Sequence, residues 1–406
     1  MADAASDRPG RAGARSNDTA STLLLGALTA AAPFAMDSYL ASLPSMTHAL
    51  SASTAEVQLT LSVYMYAWGV AQLFAGPLSD RFGRRPALLW ALGVFVVASI
   101  GCALSRNVFM LIGGRLVQAV SMASIAVVPR AVVRDLYSGD KAAHILSIMS
   151  IVLGIAPIVA PLIGSNLHVL FGWQSNFVLV AVYALVLAYF VYTTLPETLA
   201  SPDVRATAPR AMLANFGRLL RSPAYVGFML VAAFAFSGLF AFIAGSAFVF
   251  VSVMGQGERG FGVMFGTVML GNVSGAVIGT RLIRRIGIAR QVRLGTALML
   301  AAGLTVGVLA LLDVRHPLAV IAPMFAYMLT FQLTMPPAIA GALTPFPQIA
   351  GSASSLLAFC QFVVASTAAL VVGLTLDGTT RPMALTIAVA SLLAFASLRI
   401  AARVRG

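Results

Sequence analysis

Asp37 and Arg115 are ionisable residues inside long apolar runs of the sequence, where a bilayer makes charge costly. Of the thirteen acidic residues, Asp37 is the one that falls well inside such a run, and no histidine is central. At about 1.5 Å per residue, both lie roughly 8–10 Å below the same membrane boundary. Burial disfavours a charged carboxylate and a nearby guanidinium favours it. A carboxylate between these two effects can exchange a proton near neutral pH.

This pair of residues has two interpretations. In the functional one, Asp37 carries a proton or a cationic group of a substrate, and Arg115 tunes its charge. In the structural one, the two side chains form a fixed salt bridge between helices. The rarity of such residues inside a bilayer favours the functional interpretation. The matching depth allows a pair or a shared water cavity, and it does not show contact.

A short charged turn, GPLSDRFGRRPALL at 76–89, separates two of the apolar runs. Gly76 is expected to let two helices approach closely, and Asp80 to cap a helix or to pair across the turn. Pro86 suits the first turn of the following helix. The basic residues of the turn are Arg81, Arg84 and Arg85. Such residues are typical of a loop on the cytoplasmic side of a membrane.

The composition is that of an integral membrane protein. The chain is 59% hydrophobic and 10% charged, whereas soluble domains carry about 25% charged residues. The net charge of +13 could suggest nucleic acid. The arginines cluster between apolar runs, however, so they are interpreted as topology signals and no nucleic-acid partner is expected. Cys102 and Cys360 lie inside apolar runs, which favours buried free thiols. Neither a metal site nor another cofactor is indicated.

Twelve apolar runs are long enough to cross a bilayer, which takes about 20 residues. They are 22–42, 57–78, 87–104, 108–130, 142–166, 174–195, 224–252, 261–282, 292–312, 317–340, 348–373 and 383–402. The short turns between them predict an all-α membrane protein of antiparallel transmembrane helices. The polar stretch 196–223 is interpreted as a cytoplasmic linker between two six-helix bundles, at 22–195 and 224–402. The ends, 1–21 and 403–406, are expected to be cytoplasmic tails.

The positions of Arg and Lys predict the orientation. With the N-terminus inside, the inner segments hold 21 of these residues and the outer turns hold four. This bias predicts a multi-pass protein of the bacterial inner membrane with both termini in the cytoplasm. A weak repeat indicates two related halves, because DRFG at 80–83 is echoed by RRIG at 284–287, at an offset of 204.

Several motifs together resemble the major facilitator superfamily, and within it the twelve-span drug:proton antiporters of the bicyclomycin-resistance (Bcr/CflA) subfamily. GPLSDRFGRRP matches the loop signature of the superfamily. RLVQ at 115–118 matches its fourth-span arginine motif, with Ala119 where many members have Gly. GIAPIVAPLIGS at 154–165 matches the fifth-span antiporter motif, and AMDSYLASLP at 35–44 and RAVVRD at 130–135 resemble further subfamily motifs. The second half matches in hydropathy and in the degraded repeat.

The resemblance implies roles for two sets of residues. The charged turn would be a gating loop that pairs with a neighbouring helix end and separates from it when the transporter switches. Its residues are Gly76, Asp80, Arg81, Gly83, Arg84 and Arg85, with Arg134 and Asp135 as partners. The fifth-span motif would seal the cavity against leak, through Gly154, Pro157, Pro161 and Gly164. The same glycines and prolines also suit ordinary close packing and bending of a helix.

Neither ionisable residue has a charged counterpart at the 204-residue offset, where Ala241 and Ala319 stand. Proton coupling is therefore expected in the first half, and apolar contact with a substrate in the second. Aromatic residues on spans more often face lipid or the core, so each substrate contact is a hypothesis. The candidates are Tyr64, Met65, Gln118, Phe236, Phe240, Gln332 and Gln361.

These observations predict a secondary active efflux transporter that exchanges inward protons for small amphipathic drugs by alternating access. The substrate class follows from the resemblance, and a proton-coupled exporter of a small metabolite, such as an amino acid, is the alternative. An enzyme would need nucleophile, base or metal ligands at one depth, and none is visible; two halves with a buried carboxylate argue against a channel. No GxxxxGK[ST] loop is present, so ATP is not the expected energy source. The expected partners are protons, a small-molecule substrate and the bilayer, and the chain is expected to be a monomer.

Overall fold

The computed structural model describes residues 18–199 and 209–402, which form helices and short loops, with no strand among them. In its first part the helices are α1 (Asp18–Asp37), α2 (Leu43–Ala49), α3 (Thr54–Phe82), α4 (Arg84–Ala103), α5 (Val108–Leu136), α6 (Gly139–Phe171) and α7 (Gln174–Thr194). In its second part they are α8 (Pro209–Leu220), α9 (Pro223–Ala247), α10 (Gly257–Leu311), α11 (Leu318–Leu343), α12 (Ala350–Thr375) and α13 (Arg381–Ala402). Nearly all of the predicted N-terminal tail, the predicted tail 403–406 and part of the predicted linker lie outside the described residues.

Ten helical segments of the described chain are long and apolar enough to cross a bilayer. Two further spans complete the predicted twelve. α10 has 55 residues and is interrupted at Gly287, so it provides two spans, and the 29 residues of α3 are enough for one. The all-α transmembrane prediction is confirmed. The predicted turn between spans eight and nine is present but shorter than 283–291, because helix runs up to Gly287 from both sides.

The first span is not the continuous run that hydropathy predicts over 22–42. α1 ends at Asp37, a single 3-10 turn follows at Leu40–Ser42, and α2 begins at Leu43 with Pro44 in its first turn. Proline fits there because the first turn of a helix does not need its N–H. The break frees main-chain groups to meet other elements, as in the discontinuous helices of transporters.

The weak internal repeat has a counterpart in the backbone. Gly83 separates α3 from α4 with φ of 98°, and Gly287 interrupts α10 with φ of 75°. Positive φ is strained for any residue with a Cβ atom, so both positions favour glycine. The repeated feature is therefore a turn of the main chain, which is retained where the charged residues around it differ.

Helices pack mainly within each half of the chain. In the first half, α3 and α4 pack on α5, α4 packs on α7, and α1 packs on α5, α6 and α7. In the second half, α9 packs on α11, α12 and α13, and α10 packs on α11 and α13. α8 lies within the predicted linker and packs on α12; Leu219 is fully buried and Asn215 Nδ2 donates to Ser352 Oγ at 3.2 Å. The bundle boundaries at 195 and 224 stay predictions.

The two halves touch through α3 with α12 and through α6 with α10. We call the face at which α1 begins and α13 ends the terminal face, and the other the opposite face. Between mid-depth and the opposite face the contact is close. A Cβ atom added at Gly69 would lie 2.7 Å from Phe362 Cβ, and Tyr66 Oη lies 2.7 Å from Thr367 Oγ1. The opposite face is therefore closed.

Among the described residues, the hydrogen bonds and the ion pair between the halves all lie between mid-depth and the opposite face, and toward the terminal face the halves separate. A Cβ atom added at Gly76 on α3, or at Gly154 on α6, would meet no atom within 4 Å. Leu78 and Ile151 nearby are exposed. The prediction of close helix packing at these two glycines is thus wrong for this conformation, because no neighbouring helix lies beside them. The structure is open toward the terminal face.

Candidate functional site

Asp37 is the last residue of α1, at the break in the first span, and 4% of its surface is exposed. Its Oδ1 atom is buried without a hydrogen-bond partner among the described residues. An ionised carboxylate without a cation is costly in such a place, and the negative end of the helix dipole adds to that cost. The arrangement suits a carboxyl group that takes up a proton.

Arg115 is fully buried on α5. Its Nη1 atom donates to the carbonyl oxygen of Ala35 and to Gln118 Oε1, both at 2.9 Å. Its guanidinium carbon lies 3.9 Å from the ring centroid of Tyr64 and 4.5 Å from that of Tyr39. Aromatic faces attract a desolvated guanidinium. The charge of Arg115 is therefore held by two rings and a carbonyl group rather than by a carboxylate.

Asp37 and Arg115 are linked through the main chain of α1, but their side chains are not paired. The described residues contain no ion pair within 4.0 Å between them. Arg115 bonds instead to the carbonyl of Ala35, two residues before Asp37 at the end of α1. Its Nε and Nη2 atoms are buried and have no partner in the described structure. The fixed salt bridge is thus absent from this conformation, and the guanidinium keeps donors to offer.

The predicted antiporter motif on α6 divides into two parts. A Cβ atom at Gly164 would overlap the carbonyl oxygen of Ser38, so α6 packs directly on the main chain beside Asp37. The carbonyl of Pro161 packs against Gly262 of α10, across the interface between the halves. Gly154 and Pro157 lie nearer the terminal face, where the halves have separated. The buried part of the motif therefore links the Asp37 segment to the interface with the second half.

Arg84 is the centre of the predicted gating loop, since it is 7% exposed and contacts three side chains. Nη1 contacts Asp80 Oδ1 at 2.5 Å and Ser79 Oγ at 2.6 Å, and Nε donates to Asp135 Oδ2 at 3.0 Å. The predicted contact of the loop with Asp135 is therefore present. Arg134, the other predicted partner, is exposed and forms no ion pair with a described residue.

Glu197, which the sequence analysis did not single out, completes this network. Its carboxylate accepts the main-chain N–H groups of Arg84 at 3.0 Å and Arg85 at 3.2 Å, at the N-terminus of α4. Thr198 Oγ1 donates to Asp135 Oδ2 at 3.2 Å. A signal was available, because a helix that starts after glycine has N–H donors without a side-chain cap. An acid in a nearby inner segment was the natural acceptor.

Three of the predicted substrate contacts lie buried in the first half: Tyr64, Met65 and Gln118 are each 0% exposed. Gln118 Nε2 donates to Ser99 Oγ at 2.6 Å while its oxygen accepts from Arg115. Both ends of the amide are thus used by the protein. In this conformation these side chains support Arg115 and do not line an open surface.

The two predicted phenylalanine contacts, Phe236 and Phe240, belong to an aromatic cluster that joins the halves at mid-depth. Phe236 on α9 has its ring centroid 4.6 Å from that of Phe240, 5.5 Å from that of Phe362 on α12 and 6.4 Å from that of Phe331 on α11. Trp68 on α3 completes the cluster, at 4.5 Å from Phe362. Its Nε1 donor is buried without a partner in the described structure. Trp68 and Phe362 were missed, because a single sequence does not show which rings face across the interface.

The two predicted glutamines are differently placed. Gln361 on α12 is 8% exposed, and its Nε2 atom lies 3.4 Å from Met335 Sδ, a weak acceptor. Gln332 on α11 is partly exposed. Both amides thus keep hydrogen-bonding capacity for another molecule.

Comparison with known proteins identifies the family of this chain. The family described as Major Facilitator Superfamily matches residues 23–369. The chain is 31% identical over 368 residues to the bicyclomycin resistance protein homolog of Haemophilus influenzae, covering 90% of this chain and 91% of that protein. It is 30% identical over 350 residues to the chloramphenicol resistance protein of Pseudomonas aeruginosa, covering 84% and 80%.

Solved structures of transporters share the fold. The nucleoside transporter NupG has a TM-score of 0.76 at 14% identity, over 95% of this chain and 100% of that one. The xylose transporter XylE from E. coli has a TM-score of 0.75 at 13% identity, over 95% and 98%. At such identities the likeness concerns the fold alone. With the family match over most of its length, this chain belongs to the Major Facilitator Superfamily and is a membrane transporter, not an enzyme.

Proposed function

We propose that this transporter exports small amphipathic drugs in exchange for protons that enter the cell, with Asp37 as the proton carrier. The observation that carries the proposal is a buried carboxyl group with an unpartnered Oδ1 atom, two residues from the Ala35 carbonyl that bonds a buried guanidinium with unpartnered N–H groups. The names of the relatives support the drug class. They include bicyclomycin and chloramphenicol resistance proteins, and multidrug resistance protein D of E. coli, 26% identical over 340 residues.

The two charge states of Asp37 make different demands on the structure. A protonated Asp37 is neutral and can remain buried at the end of α1 without a cation. An ionised Asp37 needs a partner, and the Nε and Nη2 atoms of Arg115 are unused donors. Loss of the proton would therefore draw the end of α1 toward α5.

This movement would reach the interface between the halves through Ser38. The main chain of Ser38 is packed against Gly164 of α6, and the next turn of α6 packs against Gly262 of α10. Since interfaces of this kind contain no spare room, a shift of Ser38 changes the fit of α6 against α10. Proton binding and the contact between the halves are thereby coupled.

The same arrangement supports transport by alternating access. The described conformation is open toward the terminal face and closed at the opposite face. The excess of Arg and Lys on the terminal side supports an orientation with that face in the cytoplasm. A drug would then enter from the cytoplasm, meet the aromatic cluster around Phe236, and leave after the halves rock to open the opposite face. We propose that the protein works as a monomer in the bacterial inner membrane.

The experiment is drug-susceptibility profiling of a pump-deficient bacterial host that expresses this chain, joined to transport by purified protein in proteoliposomes. Asp37→Asn is compared with wild type and with Asp313→Asn, which changes an acid in an exposed loop at the opposite face. We expect Asp37→Asn to insert normally and to lose drug export driven by a pH gradient. Asp313→Asn should behave as wild type.

Two results would count against the proposal. Retained proton-coupled export by Asp37→Asn would remove Asp37 from the mechanism. Protection against no drug, together with proton movement triggered by a small metabolite such as an amino acid, would leave proton exchange intact and replace the substrate class.

A further inference from the structure

His168 lies near the end of α6 at the closed opposite face and contacts both halves of the chain. Its Nε2 atom lies 3.7 Å from Glu258 Oε1 in the first turn of α10, and 3.2 Å from Ser45 Oγ in α2. Its side chain is 11% exposed and that of Glu258 is 32% exposed. This contact is an ion pair between the halves when the histidine is protonated, and it has no part in the mechanism above.

Toward the opposite face, the elements packed against α6 also carry Asp37 at the end of α1, His48 on α2, Arg115 on α5, and Glu258 with Arg259 on α10. Of these, Glu258 alone forms an ion pair with His168 within 4.0 Å among the described residues. The Nδ1 atom of His168 is buried without a partner there. The charge of His168 is therefore balanced chiefly by Glu258.

We propose that His168 and Glu258 form a clasp that protons from the medium at the opposite face tighten, so that acidity on that side holds the opposite face closed. Protonated imidazole attracts the Glu258 carboxylate, and neutral imidazole does not. Histidine is the side chain whose charge most often changes near physiological pH; burial of His168 opposes its charged form, and the Glu258 carboxylate favours that form while the halves are in contact. Acid therefore favours the closed arrangement, and raising the pH loosens it.

Protonation of His168 has a different consequence from protonation of Asp37. His168 takes its proton from the opposite face and returns it to the same face, because the clasp lies beyond the closed interface. It therefore alters the balance of conformations with pH and adds nothing to the number of protons transported. In a proton-driven exporter this would help the opposite face to close once protons have been bound there.

A second contact at this face supplies a control that does not titrate. Gln58 Nε2 on α3 donates to the carbonyl of Ala244 on α9 at 2.5 Å. In a continuing α-helix that carbonyl would bond the N–H of Phe248, which donates instead to Gly245 at the start of a π-helical turn. Gln58 thus takes a carbonyl that the local change of helix type leaves free. Its contact also joins the halves, but it carries no charge.

The test measures the distance between the halves at the opposite face by double electron–electron resonance. Spin labels are placed at Leu104 and Leu312, which are exposed and follow α4 and α10, in a background in which both cysteines are replaced by alanine. The purified full chain is measured between about pH 5.5 and 8.5, a range that spans histidine titration. The series is repeated with Asp37→Asn, which removes any contribution from that carboxyl group.

In wild type and in the Asp37→Asn background, the population with separated labels should rise by about three- to fivefold from the acid to the alkaline end. This factor corresponds to the stabilisation that partly exposed ion pairs provide. His168→Gln and Glu258→Gln should each abolish the dependence, and His168→Arg should hold the face closed at every pH. Gln58→Leu should increase the separated population at every pH and keep its dependence on pH.

An unchanged pH profile in His168→Gln or in Glu258→Gln would overturn the clasp. Loss of the profile in Asp37→Asn alone would assign it to Asp37 instead.

Discussion

The carboxylate of Glu197 fills the space that a side chain at Gly83 would occupy. A Cβ atom at Gly83 would lie 2.5 Å from Glu197 Oε2, and φ at Gly83 is 98°. The same carboxylate bonds the first N–H groups of α4. Glycine is thus required at this turn for two reasons. Its φ is positive, and the Glu197 carboxylate, which follows the sixth span, occupies the space of a side chain. The start of the linker is fastened to the gating loop by this contact.

A double-mutant cycle separates these two reasons. Gly83→Ala should cost about 1–2 kcal/mol from the positive φ, plus the loss of the Glu197 cap, which is worth about 0.5–2 kcal/mol. Gly287→Ala is the matched control, because its φ is 75° but a Cβ there would meet nothing within 4 Å. In a Glu197→Ala background the cost of Gly83→Ala should fall to that of Gly287→Ala. Denaturation of the purified protein measures all four variants; equal costs in both backgrounds would contradict the cap.

Two glycines of the antiporter motif should respond in opposite ways. Gly164→Ala would force a methyl group into the carbonyl of Ser38, and main chain cannot move aside as a side chain can. We expect a loss of about 1–3 kcal/mol or more in unfolding free energy and lower yields in membranes. Gly154→Ala meets open space, so its stability should be unchanged or raised by about 0.5–1 kcal/mol. Thermal denaturation in detergent distinguishes them, and equal destabilisation would refute the packing described for α6.

This contrast shows where sequence reasoning succeeds and where it stops. Hydropathy predicts the buried position of Asp37, because burial in a span depends on the local run of residues. The repeat predicts equivalent turns at Gly83 and Gly287, because a glycine in a turn is also a local feature. Gly154 and Gly164 are indistinguishable in the motif, since their neighbours depend on how far apart the two halves stand.

The partners of Arg115 are a similar case. Its bond to the carbonyl of Ala35 exists because α1 ends at Asp37, and no local pattern in an apolar run marks that end. The ring of Tyr39 comes to Arg115 from the break after α1, and the ring of Tyr64 comes from α3. Such contacts between distant segments arise from packing of the whole bundle. A single sequence shows which residue types can contact Arg115, but it does not show which of them do.

Arg84 and Arg134 are both arginines at the terminal face, and they should differ sharply on replacement. Arg84→Ala removes the group that lies between Asp80 and Asp135. We expect a loss of about 1–3 kcal/mol, less than for a fully buried pair because the Asp80 side chain is 42% exposed. Arg134→Ala should stay within about 0.5 kcal/mol of wild type, as for other exposed positions. Denaturation curves of the two variants give the comparison. A larger loss of unfolding free energy for Arg134→Ala would show that Arg134 is a partner of the gating loop, as predicted from the sequence.

Replacing Arg115 by lysine should slow proton-coupled transport strongly although the charge is kept. A guanidinium can bond the Ala35 carbonyl and Gln118 while its flat face lies on Tyr64, and an ammonium group is a point charge without that planar fork. An ammonium group that bonded both of these oxygens would keep one N–H group, whereas Nε and Nη2 of Arg115 offer three to ionised Asp37.

We therefore expect Arg115→Lys to insert into the membrane and to lose at least about tenfold in transport rate, which corresponds to about 1.4 kcal/mol. Arg259→Lys, an exposed position at the opposite face, is the matched control and should transport normally. The measurement is substrate-dependent proton movement in proteoliposomes. If Arg115→Lys kept the wild-type rate, a positive charge alone would be enough at this position, and the unpartnered N–H groups would have no role in holding the ionised carboxylate.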